Sequence, residues 1–385
     1  MRPVLYEINT RRWLRELAAD AETPVTLDRV PESEFLEWTR LGFTHIWLMG
    51  VWKTGPLARA EALRAAAMRD QYARALENFT DADIEGSPYA IAEYAAASEF
   101  GGTEALRVFR KRLNEYGLKL ILDFVPNHVG LDHPWLRDRP DFFVQSASAT
   151  AETFERETAQ GRRWFAHGKD PYFPSWTDTA QLDYRRRATQ AAMMDALSGV
   201  AALCDGVRCD MAMLVLNDVF AKTWARFPLS DPEPNFEFWE LAIPAVKASR
   251  PGFVFLAEAY WGIEPRLQAL GFDYTYDKEL YDRLVANDPP GVQRHLLNHP
   301  LSEISAGAHF LENHDEARAA SVFSFARHRA AAALILALPG MVLLHEGQLE
   351  GLMKRVPVQL VRAEEEPSKP EIQQMYEELL AAFAG

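Results

Sequence analysis

Acidic side chains stand directly after several short apolar segments of this sequence, where polar groups of an α/β protein commonly carry out chemistry. The carboxylates of Asp210, Glu258 and Asp315 each follow such a segment. If the segments are parallel strands, their carboxyl ends meet at one end of the sheet, and the three carboxylates could share one cavity. Arg208 lies two residues before Asp210, so on a strand both side chains point to the same side. We expect Asp210 to stay ionised beside this arginine, an arrangement suited to acid–base or nucleophilic chemistry.

Short apolar segments alternate with amphipathic ones along the chain. The apolar segments predict buried strands, because parallel strands covered on both faces read as continuous apolar runs. These segments are residues 4–8, 44–49, 118–124, 207–210, 253–257, 272–276, 308–311 and 341–344, of which 272–276 has the weakest pattern. The amphipathic spacing predicts helices over residues 34–41, 103–116, 188–203, 238–249, 264–270, 326–338 and 370–383. We expect Thr103 to cap its helix and Pro370 to occupy a first turn.

Eight strands alternating with helices predict an α/β fold, specifically a (β/α)8 TIM barrel. A Gly-rich dinucleotide loop after the first strand would favour a doubly wound sheet, but the sequence has none there. Residues 52–86, partly helical through 57–76, and residues 130–187 interrupt the alternation. We therefore assign residues 1–129 and 188–385 to the barrel, and residues 130–187 to an inserted subdomain after the third strand. Insertions in this position lie at the active-site end of a barrel.

Composition and charge exclude several classes of protein. The chain has 385 residues, with 41 Lys and Arg against 55 Asp and Glu, for a net charge of −14. This charge would repel a polyanion, so we expect no nucleic-acid partner. The longest apolar run, 330–344, is shorter than the roughly 18 residues of a membrane span, and no signal-peptide pattern opens the chain. We predict a cytoplasmic protein without membrane contact. Cys204 and Cys209 are the only cysteines in the sequence, which is too few for a disulfide framework.

Four short motifs at the predicted strand ends resemble the four signature regions of the α-amylase superfamily, glycoside hydrolase family 13. Asp-Phe-Val-Pro-Asn-His at 123–128 resembles the first region, and Gly-Val-Arg-Cys-Asp at 206–210 resembles the second. Glu258 resembles the third region, and the Asn-His-Asp at 313–315 resembles the fourth. Their order matches the family as well, and the similarity extends from residue 4 to about residue 350.

The resemblance implies a retaining glycosidase that acts on α-linked glucosides or α-glucans. Asp210 is then the nucleophile, Glu258 the general acid and base, and Asp315 the carboxylate that stabilises the transition state. Retaining enzymes place their two reacting carboxyl groups about 5–5.5 Å apart. We expect burial and neighbouring negative charge to raise the pKa of Glu258, so that it is protonated near neutral pH.

Further residues are expected to contact the sugar or to brace the loops around it. By the resemblance, the side chains that surround the cleaved sugar and its nucleophile are Tyr89, His128, Arg208 and His314. Flat aromatic rings pack on the C–H faces of sugars, and the loops near the predicted mouth contain Trp52, Trp135, Trp176 and Trp261. Of these tryptophans we assign Trp261, soon after Glu258, to substrate binding. Asp123 is expected to brace Arg208 or a loop, and Glu312 and Glu316 to be solvated or to brace loops.

The sequence departs from the family at the metal site, the acceptor side and the C-terminus. Many members bind calcium, for which Asn127 and Asp183 match two ligands, but calcium needs six to eight oxygens. Leu214 replaces a histidine that supplies a further ligand in such members, so calcium is in doubt, and the chemistry itself requires no cofactor. Met213 and Leu214 also stand where relatives often carry a Lys-His pair, which predicts an apolar acceptor side. The residues after Gly347 are too few for the C-terminal β-domain of most members, and we expect that domain to be absent, either naturally or through truncation.

Three alternative functions remain open from the sequence. Water and a sugar hydroxyl compete for the same intermediate, so a transglycosidase, such as a glucanotransferase or a sucrose- or trehalose-processing relative, carries the same motifs. A non-catalytic carbohydrate-binding barrel usually lacks one or more catalytic carboxylates, whereas this chain has all three. A barrel enzyme for phosphorylated sugars would carry a Gly-rich loop after the seventh or eighth strand, where only Gly347 stands beside acidic residues.

Overall fold

Eight parallel strands close into a barrel in the computed structural model, which describes residues 2–19, 24–229, 231, 233 and 236–383. Each strand pairs with the next along the chain, and the last pairs with the first. The barrel strands, β1 to β8, are Val4–Asn9, His45–Met49, Lys119–Phe124, Gly206–Cys209, Val254–Ala257, Tyr274–Tyr276, Gly307–Phe310 and Met341–His345. The predicted (β/α)8 barrel is confirmed.

Alternate residues of the strands fill the barrel interior. Leu5, Trp47 and Leu256 belong to one buried cluster inside the barrel. The residues between them in sequence pack in a second cluster, which lies between the strands and the helices. Because both faces of each strand are covered, a charged residue there is exceptional, and Glu7 on β1 and Arg208 on β4 are the wholly buried examples that matter for the site.

Helices surround the barrel and connect its strands. They span Thr10–Ala19, Glu32–Arg40, Pro56–Arg64, Ala66–Ala75, Gly102–Glu115, Trp135–Asp138, Arg187–Ala201, Asn217–Thr223, Phe238–Ser249, Glu264–Ala269, Lys278–Val285, Pro289–Asn298, Leu301–Ser305, Ala319–Val322, Phe325–Ala337 and Pro370–Phe383. Every helix predicted from the sequence is present, with its ends within two residues of the prediction. Pro370 opens the last helix, as expected.

Two local details differ from the predictions. The strand β6 is shorter than the predicted segment 272–276, because Phe272 packs in the core ahead of the strand. The prediction that Thr103 caps its helix is wrong. Gly101, with a φ of 90°, precedes the helix, and this left-handed conformation favours glycine over a residue with a Cβ atom. The hydroxyl of Thr103 instead accepts a hydrogen bond of 3.3 Å from the N–H of Ala96.

The segment between β3 and β4 forms two small antiparallel sheets. Its strands are His128–Gly130, Gln145–Ser146, Thr153–Thr158, Gly161–Ala166 and Thr179–Gln181. The first pairs with the last, and the other three form one sheet. Strand pairing therefore begins at His128, two residues before the start of the predicted subdomain 130–187. The segment also carries Trp176, whose ring lies 5.1 Å from that of His128.

The segment after β2 is tied to the chain that follows β8. Trp52–Thr54 pairs antiparallel with Ile91–Ala96, and two helices lie between them in sequence. Tyr72, Ile84 and Leu360 form part of a small separate core that joins the two regions. Within the described residues 346–383 there is one helix and no strand, so no β-domain follows β8 there. None of the helices described here has the length and apolarity needed to cross a membrane.

Candidate active site

One arginine joins two of the predicted catalytic carboxylates. Arg208 lies at the end of β4, and its Nη1 atom donates a hydrogen bond of 2.6 Å to Oδ1 of Asp210. Its Nη2 atom lies 2.8 Å from Oε2 of Glu258, which follows the neighbouring strand β5. All three side chains are buried. The two carboxyl groups are therefore neighbours on one guanidinium, although they are remote in the sequence.

Aromatic rings hold that guanidinium in place. Its central carbon lies 5.2 Å from the ring centroid of Trp47, 5.3 Å from that of Tyr89 and 5.6 Å from that of Tyr276. The Nε atom also donates a hydrogen bond of 3.3 Å to the hydroxyl of Tyr276. Such cation–π contacts strengthen when the cation is desolvated, as it is here. Arg208 is thus a fixed positive charge beneath the two carboxylates.

Burial raises the pKa of Glu258 to about 7, against the opposing charge of Arg208. The negative charges of Asp210 and Asp315 raise it further, while a hydrogen bond from Tyr260 lowers it. The direction agrees with the expectation from the sequence. A carboxyl group with this pKa is divided between its protonated and ionised forms near neutral pH, which suits a group that must donate and accept a proton.

The backbone at Met211 also contacts Glu258. Its N–H donates a hydrogen bond of 2.7 Å to Oε2 of Glu258. Met211 has a φ of 42°, in the left-handed region that costs energy for any residue other than glycine. Strained backbone directly after Asp210 thus supplies a donor to the neighbouring carboxylate.

Burial raises the pKa of Asp210 above its ordinary value, and the charge and hydrogen bond of Arg208 oppose that effect. The ionised state that the sequence predicts for Asp210 therefore depends on the arginine beside it. His314 also lowers the pKa of Asp210, but its effect is smaller than that of the arginine.

The third carboxylate is coupled to an imidazolium. Nε2 of His314 lies 3.1 Å from Oδ2 of Asp315, and its Nδ1 atom contacts Oε1 of Glu7. Burial alone would lower the pKa of His314, but Asp315 and Glu7 raise it well above its usual value. Partial burial would raise the pKa of Asp315, but His314 and Arg208 hold it below its usual range. Asp315 is therefore ionised, and about half of its side chain is exposed.

A cavity of about 300 Å³ brings most of the predicted residues together. It is lined by, among others, Tyr89, His128, Trp176, Asp210, Glu258 and Asp315. Arg208 and His314 do not line it but lie behind its wall, buried against the residues that do. Burial lowers the pKa of His128 to about 3, so its imidazole is neutral and can both donate and accept hydrogen bonds.

A wider cleft of about 1090 Å³ shares Trp176, Glu258 and Asp315 with this cavity. Trp261 lines the wider cleft rather than the cavity, and 40% of it is exposed. The ring of Tyr172 stands edge-on to Trp261 at 5.0 Å, and neither ring is covered by the core. The predicted platform at Trp261 thus faces the cleft beside the carboxylates.

Of the other three loop tryptophans, one lines the site and two are packed away from it. Trp176 lines both spaces, but Trp52 is wholly buried and its Nε1 atom donates a hydrogen bond of 2.7 Å to the carbonyl oxygen of Asp123. Trp135 packs edge-on against Phe142 at 5.3 Å. Trp52 and Trp135 therefore pack in or against the core, as loop tryptophans often do.

The predicted bracing residues contact loops. Asp123 accepts hydrogen bonds from the Nε1 atom of Trp47 at 3.1 Å and from the N–H of Gly50 at 2.8 Å, which fixes the turn after β2. Glu312 is wholly buried rather than solvated, and it accepts a hydrogen bond of 2.7 Å from Arg318. Glu316 lines the wider cleft and lies 3.3 Å from Nζ of Lys278.

Met213 and Leu214 do not form the apolar acceptor side that the sequence predicts. Met213 and Leu214 are 0% and 2% exposed, inside a short helical turn, and neither lines the cavity or the cleft. Met211 is the member of this run that lines both spaces. Met213 and Leu214 therefore serve packing, and Met211 is the residue of this run that borders the space for a sugar.

The two residues that match calcium ligands do not fit that ion. The Oδ1 atom of Asn127 accepts a hydrogen bond of 2.9 Å from Nε2 of Gln181, and Gln181 also accepts one from Asn127. Both oxygens of Asp183 are held at 2.8 Å by the guanidinium of Arg185. Calcium needs six to eight free oxygens, and a cation is not stabilised beside an arginine.

Three residues of the site were missed by sequence reasoning. Glu7 was detectable, because a charged residue stands inside an otherwise apolar strand. Tyr260 was detectable as well, since it lies two residues after Glu258. Tyr276 gave no signal, because a tyrosine in a strand is ordinary.

Comparisons with known proteins agree with this geometry. The family model for the α-amylase catalytic domain matches residues 38–379. The chain is 27% identical over 266 residues to the alpha-amylase MalA of Haloarcula japonica, covering 66% of this chain and 35% of that protein. It is 26% identical over 208 residues to an alpha-1,4-glucan:maltose-1-phosphate maltosyltransferase of Pseudomonas aeruginosa, covering 51% and 26% of the two chains. The chain thus spans well under two thirds of either relative.

A solved structure shows the same fold. The crystal structure of an alpha-amylase from Lactobacillus plantarum superposes with a TM-score of 0.68 and 21% sequence identity. The similarity covers 100% of this chain and 80% of that one.

Proposed function

The chain belongs to the α-amylase family, and we propose that it is a retaining glycosidase acting on α-linked glucosides or α-glucans through a covalent glycosyl-enzyme. The observation that supports this most is the shared contact of Asp210 and Glu258 with Arg208, at 2.6 and 2.8 Å. One carboxylate is held beside a cation, and the other has a pKa of about 7. This is the division of work that a double displacement needs.

The first step would form the covalent intermediate. A carboxylate oxygen of Asp210 attacks the anomeric carbon, and the bond from that carbon to the glycosidic oxygen breaks. Glu258 gives its proton to the departing oxygen, so the leaving sugar departs as a neutral alcohol and Glu258 becomes ionised. Asp315, ionised by its contact with His314, stabilises positive charge on the sugar in the transition state.

The second step would release the sugar with its configuration kept. The ionised Glu258 takes a proton from water, and the water oxygen attacks the anomeric carbon. The bond to Asp210 breaks and its carboxylate is restored. His128 and Tyr89 line the cavity and would provide hydrogen-bonding groups for the hydroxyls of the reacting sugar.

Transfer to a sugar acceptor is the second candidate. The exposed ring of Trp261 lines the wider cleft, with the exposed ring of Tyr172 against it, and an acceptor sugar could displace water there. The maltosyltransferase among the relatives has transfer in its name, which supports keeping this candidate. Both activities use the same intermediate, so products formed with and without an added acceptor sugar distinguish them.

The test is a product screen over maltose, trehalose, sucrose, maltooligosaccharides and starch, with the anomeric configuration followed by proton NMR. We expect α-configured products first, and Asp210→Asn and Glu258→Gln should each abolish turnover while leaving the circular dichroism spectrum unchanged. The matched control is Glu104→Gln, which removes an exposed carboxylate from an outer helix. Release of the β-anomer first would exclude retention, and no turnover of any sugar would favour a carbohydrate-binding barrel.

A further inference from the structure

A second group of ligating side chains lies outside the catalytic cavity, on two consecutive helices after β6. Glu279 belongs to the helix Lys278–Val285, His295 to the helix Pro289–Asn298, and His299 follows the end of the latter. We propose that Glu279, His295 and His299 bind a divalent transition-metal ion of the zinc class. One nitrogen or oxygen atom from each of the three lies within 4.8 Å of the others.

The spacing of the two histidines brings their rings together. They are four residues apart, so they lie on one face of the helix and its end. Their ring centroids are 4.7 Å apart. Pairs of histidines at this spacing, with a carboxylate from another element, are a frequent ligand set for zinc.

Carboxylates behind the histidines fix the orientation of both rings. Nε2 of His295 lies 3.0 Å from Oδ1 of Asp277, and Nδ1 of His299 lies 2.9 Å from Oε2 of Glu303. When these nitrogens carry the proton, the lone pair of each ring is on the opposite nitrogen, which is the atom available to a metal. Metal-bound histidines in proteins commonly donate their other N–H to a carboxylate in this way.

The nitrogen of His295 that would bind the metal has no hydrogen-bond partner. His295 is 7% exposed, and its Nδ1 atom is buried without a donor or acceptor in hydrogen-bonding geometry. The nearest carboxylate atom is Oε2 of Glu279, at 3.5 Å. Leaving a buried polar atom unpaired costs free energy, so such an atom requires an explanation. A bound cation between the two groups would satisfy both.

Glu279 presents one oxygen to this space. Arg283 contacts its Oε1 atom, which leaves Oε2 facing the histidines. That oxygen lies 4.0 Å from Nε2 of His299. Two atoms bound to one tetrahedral zinc ion at about 2.0–2.2 Å are about 3.3–3.6 Å apart, so the pair at 3.5 Å already fits and the wider pairs must close by up to about 1.5 Å. The side chains of Glu279 and His299 are 49% and 35% exposed, so the core does not enclose them and there is space for that adjustment.

The chemistry of the donors selects the kind of ion. Two imidazoles and one carboxylate suit zinc and its neighbours in the first transition series, whereas calcium and magnesium prefer oxygen ligands. A small cavity of about 90 Å³ borders the three residues and has room for water as a fourth ligand. The site is separate from Asn127 and Asp183, which do not fit calcium.

A metal here would join the two helices that follow β6. The first of them begins next to Tyr276, whose hydroxyl contacts Arg208, and carries Lys278, which lies 3.3 Å from Glu316 at the cleft. Binding to the folded chain but not to the unfolded chain stabilises the fold. We therefore expect a stabilising role at the wall of the cleft, without a metal-dependent chemical step.

The test uses the full chain, stripped with a chelator and titrated with zinc chloride by calorimetry. We expect about one zinc ion per chain, and a Tm about 3 °C higher at a zinc concentration of roughly one hundred times Kd than in the stripped protein. Cobalt chloride should give the intense visible absorption of a tetrahedral site. His299→Gln, which keeps a polar partner for Glu303, and Glu279→Gln should each weaken binding at least tenfold. Gln293→Ala, an exposed change on the same helix, should bind as the unchanged chain does.

Several results would overturn the proposal. They are an absence of heat on zinc titration, a cobalt spectrum of the octahedral type, or equal zinc affinity in the His299→Gln chain. The Tm of His299→Gln and Glu279→Gln is compared with that of the stripped unchanged chain, which separates the loss of their contacts with Glu303 and Arg283 from the loss of zinc binding. If a variant has a lower Tm without metal but binds zinc as tightly as the unchanged chain, the substituted residue contributes to packing and not to metal binding. None of these readouts depends on glycosidase activity.

Discussion

The hydroxyl of Tyr260 donates a hydrogen bond of 2.6 Å to Oε1 of Glu258. The bond favours the ionised carboxylate and therefore lowers the pKa of Glu258, against the larger effect of burial. The pKa of about 7 is thus a balance between opposing groups in contact with one side chain. Each of these groups can be removed separately.

Removing the Tyr260 hydroxyl should raise the pKa of Glu258. In the proposed first step Glu258 must be protonated, so kcat/KM should fall as the pH rises through about 7. In Tyr260→Phe this alkaline limb should move to higher pH, because the ionised form has lost a donor. The measurement is the pH profile of kcat/KM, and an alkaline limb that stays in place would show that Tyr260 does not influence this proton.

Glu7 acts on the site through His314 and is a positioning residue. Burial would raise the pKa of Glu7, but His314 holds it below its ordinary value, so this pair is charged across the neutral range. Glu7→Gln leaves a buried imidazolium with one fewer negative partner and should lower the free energy of unfolding by about 3 kcal/mol. It should also lower the pKa of His314, which NMR of the ring protons measures. An unchanged pKa would exclude the coupling, whatever happens to stability.

Trp261 should contribute to binding rather than to bond cleavage. Trp261→Ala removes an exposed ring from the cleft, where packing on a sugar is worth up to about 1.5 kcal/mol. We expect KM for long maltooligosaccharides to rise by up to about tenfold, with kcat little changed. A glucoside with a small leaving group reaches only the cavity and serves as the control. Equal increases in KM for both substrates would show that Trp261 maintains the structure of the site rather than contacting the longer sugar.

Calcium should not bind at Asn127 and Asp183. Because Arg185 occupies both oxygens of Asp183, adding calcium to the metal-stripped chain should leave Tm and kcat unchanged. Differential scanning calorimetry with and without calcium chloride is the measurement. A rise in Tm that disappears in Asp183→Asn would contradict this expectation.

The barrel was predictable because its strands are covered on both faces. Buried parallel strands such as β2 and β8 are apolar except for one terminal histidine each, and their order along the chain is also their order around the barrel. The end of such a strand is where a barrel site forms, so the positions of Asp210 and Glu258 followed from the same pattern. The family motifs added the proposed roles.

Contacts between remote loops could not be predicted in this way. Nothing near Trp52 in sequence indicates that its ring is buried behind β3. The helix is capped at Gly101 because of its left-handed backbone conformation, which the sequence does not show. The sequence offered Thr103 as the more familiar capping residue. The histidines at 295 and 299 become a site only because a carboxylate on another helix faces them.

The covalent intermediate is the central claim, and trapping it is the most direct test. A fluorinated glucosyl fluoride forms the glycosyl-enzyme quickly and releases it slowly, so the modified chain can be digested and sequenced by mass spectrometry. We predict one glycosyl group, attached to Asp210 and absent from the Asp210→Asn chain. A label on any other residue, or normal turnover of α-glucosides by Asp210→Asn, would contradict the mechanism.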